Sequence, residues 1–187
     1  RTWLASMGSG APHQLIFSSW LILASSCAAS LAQRPSCQVI AAINGVCMGG
    51  AFELSLACHG RVVADAPKVK LALPEVKVGI FPGAGGTQRV PRLTNQQDAL
   101  QMMTTGQSLS PSRAKAMGLV HEVVAPENLI EAAKAMIKNG LKPVQPWDEK
   151  GFKLPGGAVY SPAGANLWPA ATAILRRETQ GNFPGAA

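Results

Sequence analysis

The hydrophobic pattern of the first forty residues differs from that of the hundred that follow. Gln14 to Gln33 carries no charged residue and mixes Leu, Ile and Trp with serines and alanines. This pattern predicts a buried helix leading into a strand. A secretory signal is the alternative, weakened by the lack of a basic segment before the run and by the serines that dilute it. Pro35 then separates this stretch from Cys37 to Ile43, a short apolar run stopped by Asn44-Gly45, which predicts a fully buried strand. After Gly49-Gly50, Ala51 to Cys58 predicts a helix with Gly60 as its C-terminal stop. Arg61 to Ala64 and Val69 to Leu71 predict two further short strands.

Beyond them, Pro82-Gly83-Ala84-Gly85-Gly86 predicts a loop that opens a helix at about Thr87, and Gln96 to Thr104 predicts a second helix. Ser110 caps a predicted helix through Met117 that Gly118 ends, followed by a strand over Leu119 to Val123. Glu127 to Asn139 shows an amphipathic period, with Leu129, Ala132, Ala133, Met136 and Ile137 on one side. Beyond Gly140 the residues shift to Pro, Gly and Trp. The predicted organisation is therefore one α/β domain over residues 1–140 and a helical or irregular tail over 141–187.

Composition narrows the chemistry. With 187 residues, 47% hydrophobic, the chain can bury one ordinary core. Its 17 basic and 10 acidic residues give a net charge of +7, but the charges are scattered without interleaved aromatics, which points to an anionic small molecule or an ordinary basic surface rather than nucleic acid. Cys27, Cys37, Cys47 and Cys58 form no CxxC pair and the histidines no ligand spacing, so no metal site is expected and the thiols read as small buried hydrophobes of a reducing compartment. The glycine loop GAGGTQ lacks both the dinucleotide fingerprint and a following GK[ST], which disfavours nucleotide triphosphate and NAD sites.

Two glutamates carry the candidate chemistry. Glu53 lies just inside the helix that begins after Gly49-Gly50, and Glu75 follows Pro74 in LALPEVKVGIFPGAGGTQR. No acidic residue precedes Glu53, and only Asp65 separates it from Glu75. A carboxylate inside an apolar helix is costly to bury as an ion, so two such placements close together point to acid/base work. The start of the Ala51 helix adds an anion-binding end, because its free N–H groups and dipole face outward.

Three ordered blocks bring in a family. They are AAINGxxxGGxxEL at Ala41 to Leu54, LPEVKxGxxPGAGGTQRxPR at Leu73 to Arg92, and TGxxxSxxxAxxxGLV at Thr105 to Val120. Through them the chain resembles the crotonase superfamily, and within it the enoyl-CoA hydratases, from about Gln38 to Val124. The resemblance implies a crotonase-like ββα spiral, incomplete on its N-terminal side, because the AGADI-like signature that supplies the second oxyanion donor is not found in RTWLASMGSGAPHQ. It implies addition of water across the 2,3 double bond of a 2-enoyl-CoA thioester in fatty-acid β-oxidation. Glu53 would orient and deprotonate the water, Glu75 would protonate C2, and the N–H of Gly50 would hold the thioester oxygen. Met48, Gly49, Pro74, Val78 and Gly83 match positions that line the thioester and acyl pocket, and Arg89 and Arg92 are either phosphate contacts or solvated helix-surface cations.

Coenzyme A is part of the substrate on this reading, and no separate cofactor is implied. The implied partners are the acyl-CoA thioester and copies of the same chain, as a trimer or a multiple of it, in the cytoplasm and with no membrane contact. Members that only shift a double bond commonly lack an acid at the position of Glu53, so the pair favours a hydratase. An isomerase or another acyl-CoA enolate enzyme is one alternative, and a noncatalytic assembly fragment is another. The tail resembles the connector that follows the hydratase part of bacterial multifunctional fatty-acid oxidation proteins. With Arg1 in place of an initiator Met, this leads to the expectation of a piece of a longer polypeptide that is a weak catalyst or inactive by itself.

Overall fold

In a computed structural model of the chain, residues 14–18, 38–158 and 160–180 are described. Two parallel sheets organise them. The larger contains β1 (Gln14–Ser18), β2 (Gln38–Ile43), β4 (Gly60–Ala64) and β6 (Glu122–Val124) in the order β1-β2-β4-β6; the smaller pairs β3 (Val46–Met48) with β5 (Lys70–Ala72). Strands β2 and β4 are buried almost end to end, the near-continuous apolar pattern of parallel strands covered on both faces. They pair in register, Ile40 opposite Gly60 and Ile43 opposite Val63.

The chain repeats one unit. Strand β2 lies in the large sheet, β3 in the small sheet, and helix α1 (Gly50–Ala57) follows; then β4 returns to the large sheet, β5 to the small one, and a 3-10 turn, Glu75–Val78, precedes helix α2 (Gly86–Leu93). This is the expected ββα pattern, and it brings the start of a helical segment to the same side in both repeats. Helices α3 (Gln96–Thr105) and α4 (Pro111–Ala116) follow, and α5 (Leu129–Lys138) packs on β2 and β4. The face of α5 predicted to be apolar does turn inward, with Leu129, Ala133, Met136 and Ile137 buried. Gly60 lets it approach, since a Cβ there would lie 2.5 Å from Met136 Sδ and 2.6 Å from Ile40 Cδ1.

Several expectations change. The helix predicted over Gln14 to Gln33 does not begin as one: Gln14–Ser18 is a strand paired parallel to β2, Gln14 opposite Gln38 and Ser18 opposite Ala42. A parallel partner strand overrides the weak local preference of an uncharged apolar run. The remainder of that stretch, with Cys27 and Cys37, lies outside the described residues. Strand β3 went unread because Asn44-Gly45 looks like the turn that enters the helix, whereas the chain first adds three residues to the small sheet. The strand predicted from Leu119 starts at Glu122, because the end of α4 captures Leu119: its N–H bonds Ala114 O at 3.0 Å, and Gly118 takes φ +75°.

One charged residue is buried within β4. Arg61 is 1% exposed, and its guanidinium donates to Leu119 O at 2.7 Å, Cys58 O at 2.7 Å and Leu56 O at 3.4 Å. These carbonyls include the end of α1, where a cation meets the negative end of the helix dipole. Burial lowers the Arg61 pKa to about 10, so the group still holds its charge at neutral pH. It pins one end of the helix whose other end forms the candidate site. The tail reaches the same region: Gln145 Nε2 donates to Ala57 O at 2.6 Å. Further along, Gln96 Nε2 in α3 donates to Gly157 O at 2.7 Å, and helix α6 (Pro162–Thr179) lies against α3.

Candidate active site

The entry to α1 is set by Gly49. Its φ of 57° and ψ of −134° belong to backbone that residues with a Cβ avoid, and its N–H closes the small sheet by bonding Ala72 O at 3.0 Å. Phe52 and Glu53 turn their N–H groups back onto Gly49 O at 2.9 and 3.0 Å. Gly50, the first helical residue, is exposed, and its N–H has no acceptor among the described residues. An unused donor thus points outward from a helix N-terminus, the arrangement that receives an oxyanion. For Gly50 the space is open, with no atom within 4 Å of a built Cβ; for Gly49 the backbone angle is itself the constraint, and a Cβ would also lie 3.2 Å from Glu75 Oε1.

Glu53, one turn into α1, is 2% exposed. Its Oε1 accepts from the N–H of Ala84 at 2.8 Å and of Gly86 at 2.7 Å. Those amides open α2, whose N-cap Gly85 takes φ +102°. The glycine-rich loop, expected to hold neither a nucleotide triphosphate nor NAD, receives an anion in the protein's own carboxylate. Gly86 is required for this, because a Cβ there would lie 2.9 Å from Pro82 Cβ and 3.0 Å from both Glu53 Oε1 and Leu73 Cδ1.

Glu75 begins the 3-10 turn after Pro74 and is 9% exposed. Its Oε2 is buried with no hydrogen-bond partner among the described residues. Burial pushes its pKa above the ordinary carboxylate value, with the Glu53 charge adding to the rise and its own backbone N–H partly offsetting it. Two neighbouring carboxyls therefore sit in unlike environments, one with two amide donors on a single oxygen and one with a buried oxygen that has no partner among the described residues, the kind of division that separates a base from an acid.

The other residues predicted for the site are spread around these two. Met48 and Pro74 are half-buried, Gly83 is exposed, and Val78 is exposed at 73%, in line with exposed Ile80 and Phe81 on the same loop. Cys47 and Cys58 are buried, and burial pushes their thiols up to about 11 and about 12, which leaves them protonated and unreactive. Arg92 bonds the carbonyl of Gln88 in its own helix. Among the described residues no group of three or more His, Cys, Asp or Glu could hold a metal, and no helix is long and apolar enough to cross a membrane. A cavity of about 490 Å³ lined by Lys70, Asp98, Gln101, Met102 and Arg113 includes neither glutamate.

The family model for enoyl-CoA hydratase/isomerase matches residues 27–145, which takes in both glutamate turns and the loop between them. The chain belongs to the enoyl-CoA hydratase/isomerase family. It is 44% identical over 151 residues to a fatty acid oxidation complex subunit alpha from Shewanella loihica, which covers 80% of this chain and 21% of that protein. The chain thus spans about a fifth of the length of that curated relative. Among solved structures, an enoyl-CoA hydratase from Bacillus anthracis aligns with a TM-score of 0.56 at 42% identity, covering 62% of this chain and 45% of that one. One from Geobacillus kaustophilus aligns with a TM-score of 0.56 at 34% identity, covering 62% and 43%. The mixed α/β architecture with parallel sheets is that of these crotonase-fold neighbours.

Two contributors escaped the sequence reading, the amides of Ala84 and Gly86; Arg89, read there as a phosphate contact or a solvated cation, has its Nη1 donating to Ala84 O at 2.7 Å. A glycine cluster directly before a helix was the available signal. It marked an anion site without revealing that an internal carboxylate fills it.

Proposed function

We propose that this site hydrates the 2,3 double bond of a 2-enoyl-CoA thioester. The observation that carries the reading is the contrast between two buried carboxyls beside one open helix N-terminus. Glu53 takes a proton from water as the water oxygen bonds C3, while Glu75, the carboxyl whose proton is favoured by burial, delivers one to C2. Negative charge passing onto the thioester oxygen meets the free N–H of Gly50 and the positive end of α1. Met48, Gly49, Pro74, Val78 and Gly83 line the thioester and acyl path, and the exposed Val78 on the Glu75 turn is suited to an apolar chain. Coenzyme A enters as part of the substrate, and the active particle is a homo-oligomer, a trimer or a multiple of it. Family membership and the relative named for fatty acid oxidation support this reading.

The test is loss of the conjugated thioester absorbance when the chain meets crotonyl-CoA. Hydration that disappears in Glu75→Gln supports the reading, even if slow. Conversion of a 3-enoyl-CoA without any hydration would favour an isomerase, and a chain inert toward both would favour an assembly role.

A further inference from the structure

Arg89 lies in the first turn of α2, and its guanidinium folds back toward the helix N-terminus, as long side chains in helices do. A cation at that end opposes the helix dipole, and half-burial adds a desolvation cost that lowers its pKa, with the Glu53 charge acting in the opposite sense. Such a placement needs a compensating role. The contacts supply one. The backbone of Ala84 is held at both of its peptides, its N–H, in the Gly83–Ala84 peptide, on Glu53 Oε1 at 2.8 Å and its carbonyl, in the Ala84–Gly85 peptide, on Arg89 Nη1 at 2.7 Å. Gly85 lies between with φ +102°, and a Cβ on it would sit 2.3 Å from Arg89 Nη1, so only glycine lets the guanidinium lie across the loop.

We propose that Arg89 is a positioning residue for hydration. It fixes the Ala84–Gly85 peptide, which lies between the Ala84 and Gly86 N–H groups on Glu53 Oε1, and so leaves Oε2 as the oxygen that works on water. This rests on the hydratase reading above. Arg92 in the same helix also meets a carbonyl, but one of its own helix; the carbonyl that Arg89 meets belongs to the loop residue whose N–H bonds Glu53, across a glycine at φ +102°. The remaining charged group of the site, Glu75, belongs to the proton that reaches C2 and does not bond this loop among the described residues.

The experiment compares Arg89→Gln, Arg89→Lys, Glu53→Gln and the Arg89→Gln/Glu53→Gln double variant, with Arg113→Gln as a control that removes a cation paired with Asp98. Arg89→Gln should lower kcat for 2-enoyl-CoA hydration about 10-fold or more with KM little changed, since small misplacements of a reacting group cost rate. Arg89→Lys should recover part of it, Arg113→Gln should match the parent, and Arg89→Gln should cost nothing further once Glu53 is Gln. Hydrogen exchange at the Ala84 and Gly86 amides should quicken in Arg89→Gln. Parent-like kcat and amide protection in Arg89→Gln, or an equal loss in the Glu53→Gln background, would overturn the proposal. A parent that hydrates no 2-enoyl-CoA would overturn the function reading instead, and amide exchange alone would then decide whether Arg89 holds the loop. Should Arg89→Gln fail to fold, slower exchange in Arg89→Lys than in Gly86→Ala supports the contact, and equal exchange refutes it.

Discussion

The turn at Glu53 and the turn at Glu75 occupy equivalent places in successive ββα repeats, yet they treat a carboxylate in opposite ways. At Glu53, two amides of a helix N-terminus close on one oxygen at 2.8 and 2.7 Å. At Glu75, the carboxyl opens a single 3-10 stretch beside Gly49 at the start of α1, and Oε2 is buried without a partner among the described residues. The same side chain is thereby anchored in one repeat and left able to hold a proton in the other. On the proposed reading, each carboxyl's role follows from the donors its neighbours supply more than from its own position in the motif.

The largest effect should come from Glu75→Gln, which keeps shape and removes the proton. On the hydratase reading, kcat should fall by about 10² to 10⁴, read with crotonyl-CoA. Retention of a tenth of the parent rate would sink the acid role. Next, Glu53→Gln should cost hydration about 10² or more while sparing a larger share of any 3-enoyl to 2-enoyl isomerisation, because moving one proton needs no water. Equal loss of both activities would erase the proposed contrast between the two turns.

A smaller effect should follow from crowding the anchor itself. Gly86→Ala places a methyl against Pro82, Leu73 and Glu53 Oε1, so it should destabilise by about 1 to 3 kcal/mol and lower kcat together. A thermal melt and the crotonyl-CoA assay on one preparation read both. Gly50→Ala, with open space around its Cβ, should leave the melt nearly unchanged.

The contrast also has a pH signature. Glu75 holds its proton more tightly folded than unfolded, so its contribution to stability is complete below its ordinary value of 4.5 and is lost as pH rises through the raised folded value. Glu75→Gln should therefore melt higher than the parent at pH 7, with the gap closing toward pH 4. His121 runs the other way. Its Nδ1 accepts from Arg61 N–H at 3.2 Å, and burial, with Arg61, lowers its pKa from 6.5 to about 4. Its contribution is present above pH 6.5 and lost as pH falls toward 4; since the ring is partly exposed, solvent screens it, and His121→Gln should flatten the acid limb of stability by under about 1 kcal/mol.

Much of this molecule was legible in the sequence because the signals were local. The buried run at Cys37 to Ile43, the Gly49-Gly50 helix start, the Ser110 cap and the apolar face of the Leu129 helix each depend on residues a few positions apart, and each element appears within a residue or two of its expected place. The two glutamates stood out for the same reason, as charges where short-range pattern calls for apolar residues. What local pattern could not carry was pairing. Whether Gln14–Ser18 is helix or strand depends on β2 lying beside it, and whether Val46–Met48 is turn or strand depends on β5. The state of each carboxyl likewise depends on partners far along the chain: Ala84 and Gly86 lie 31 and 33 residues from Glu53. Sequence alone determined which residues are costly to bury; the tertiary structure decided how each is compensated, because only folding brings the amides of Ala84 and Gly86 to Glu53 and leaves Glu75 Oε2 buried without a partner among the described residues.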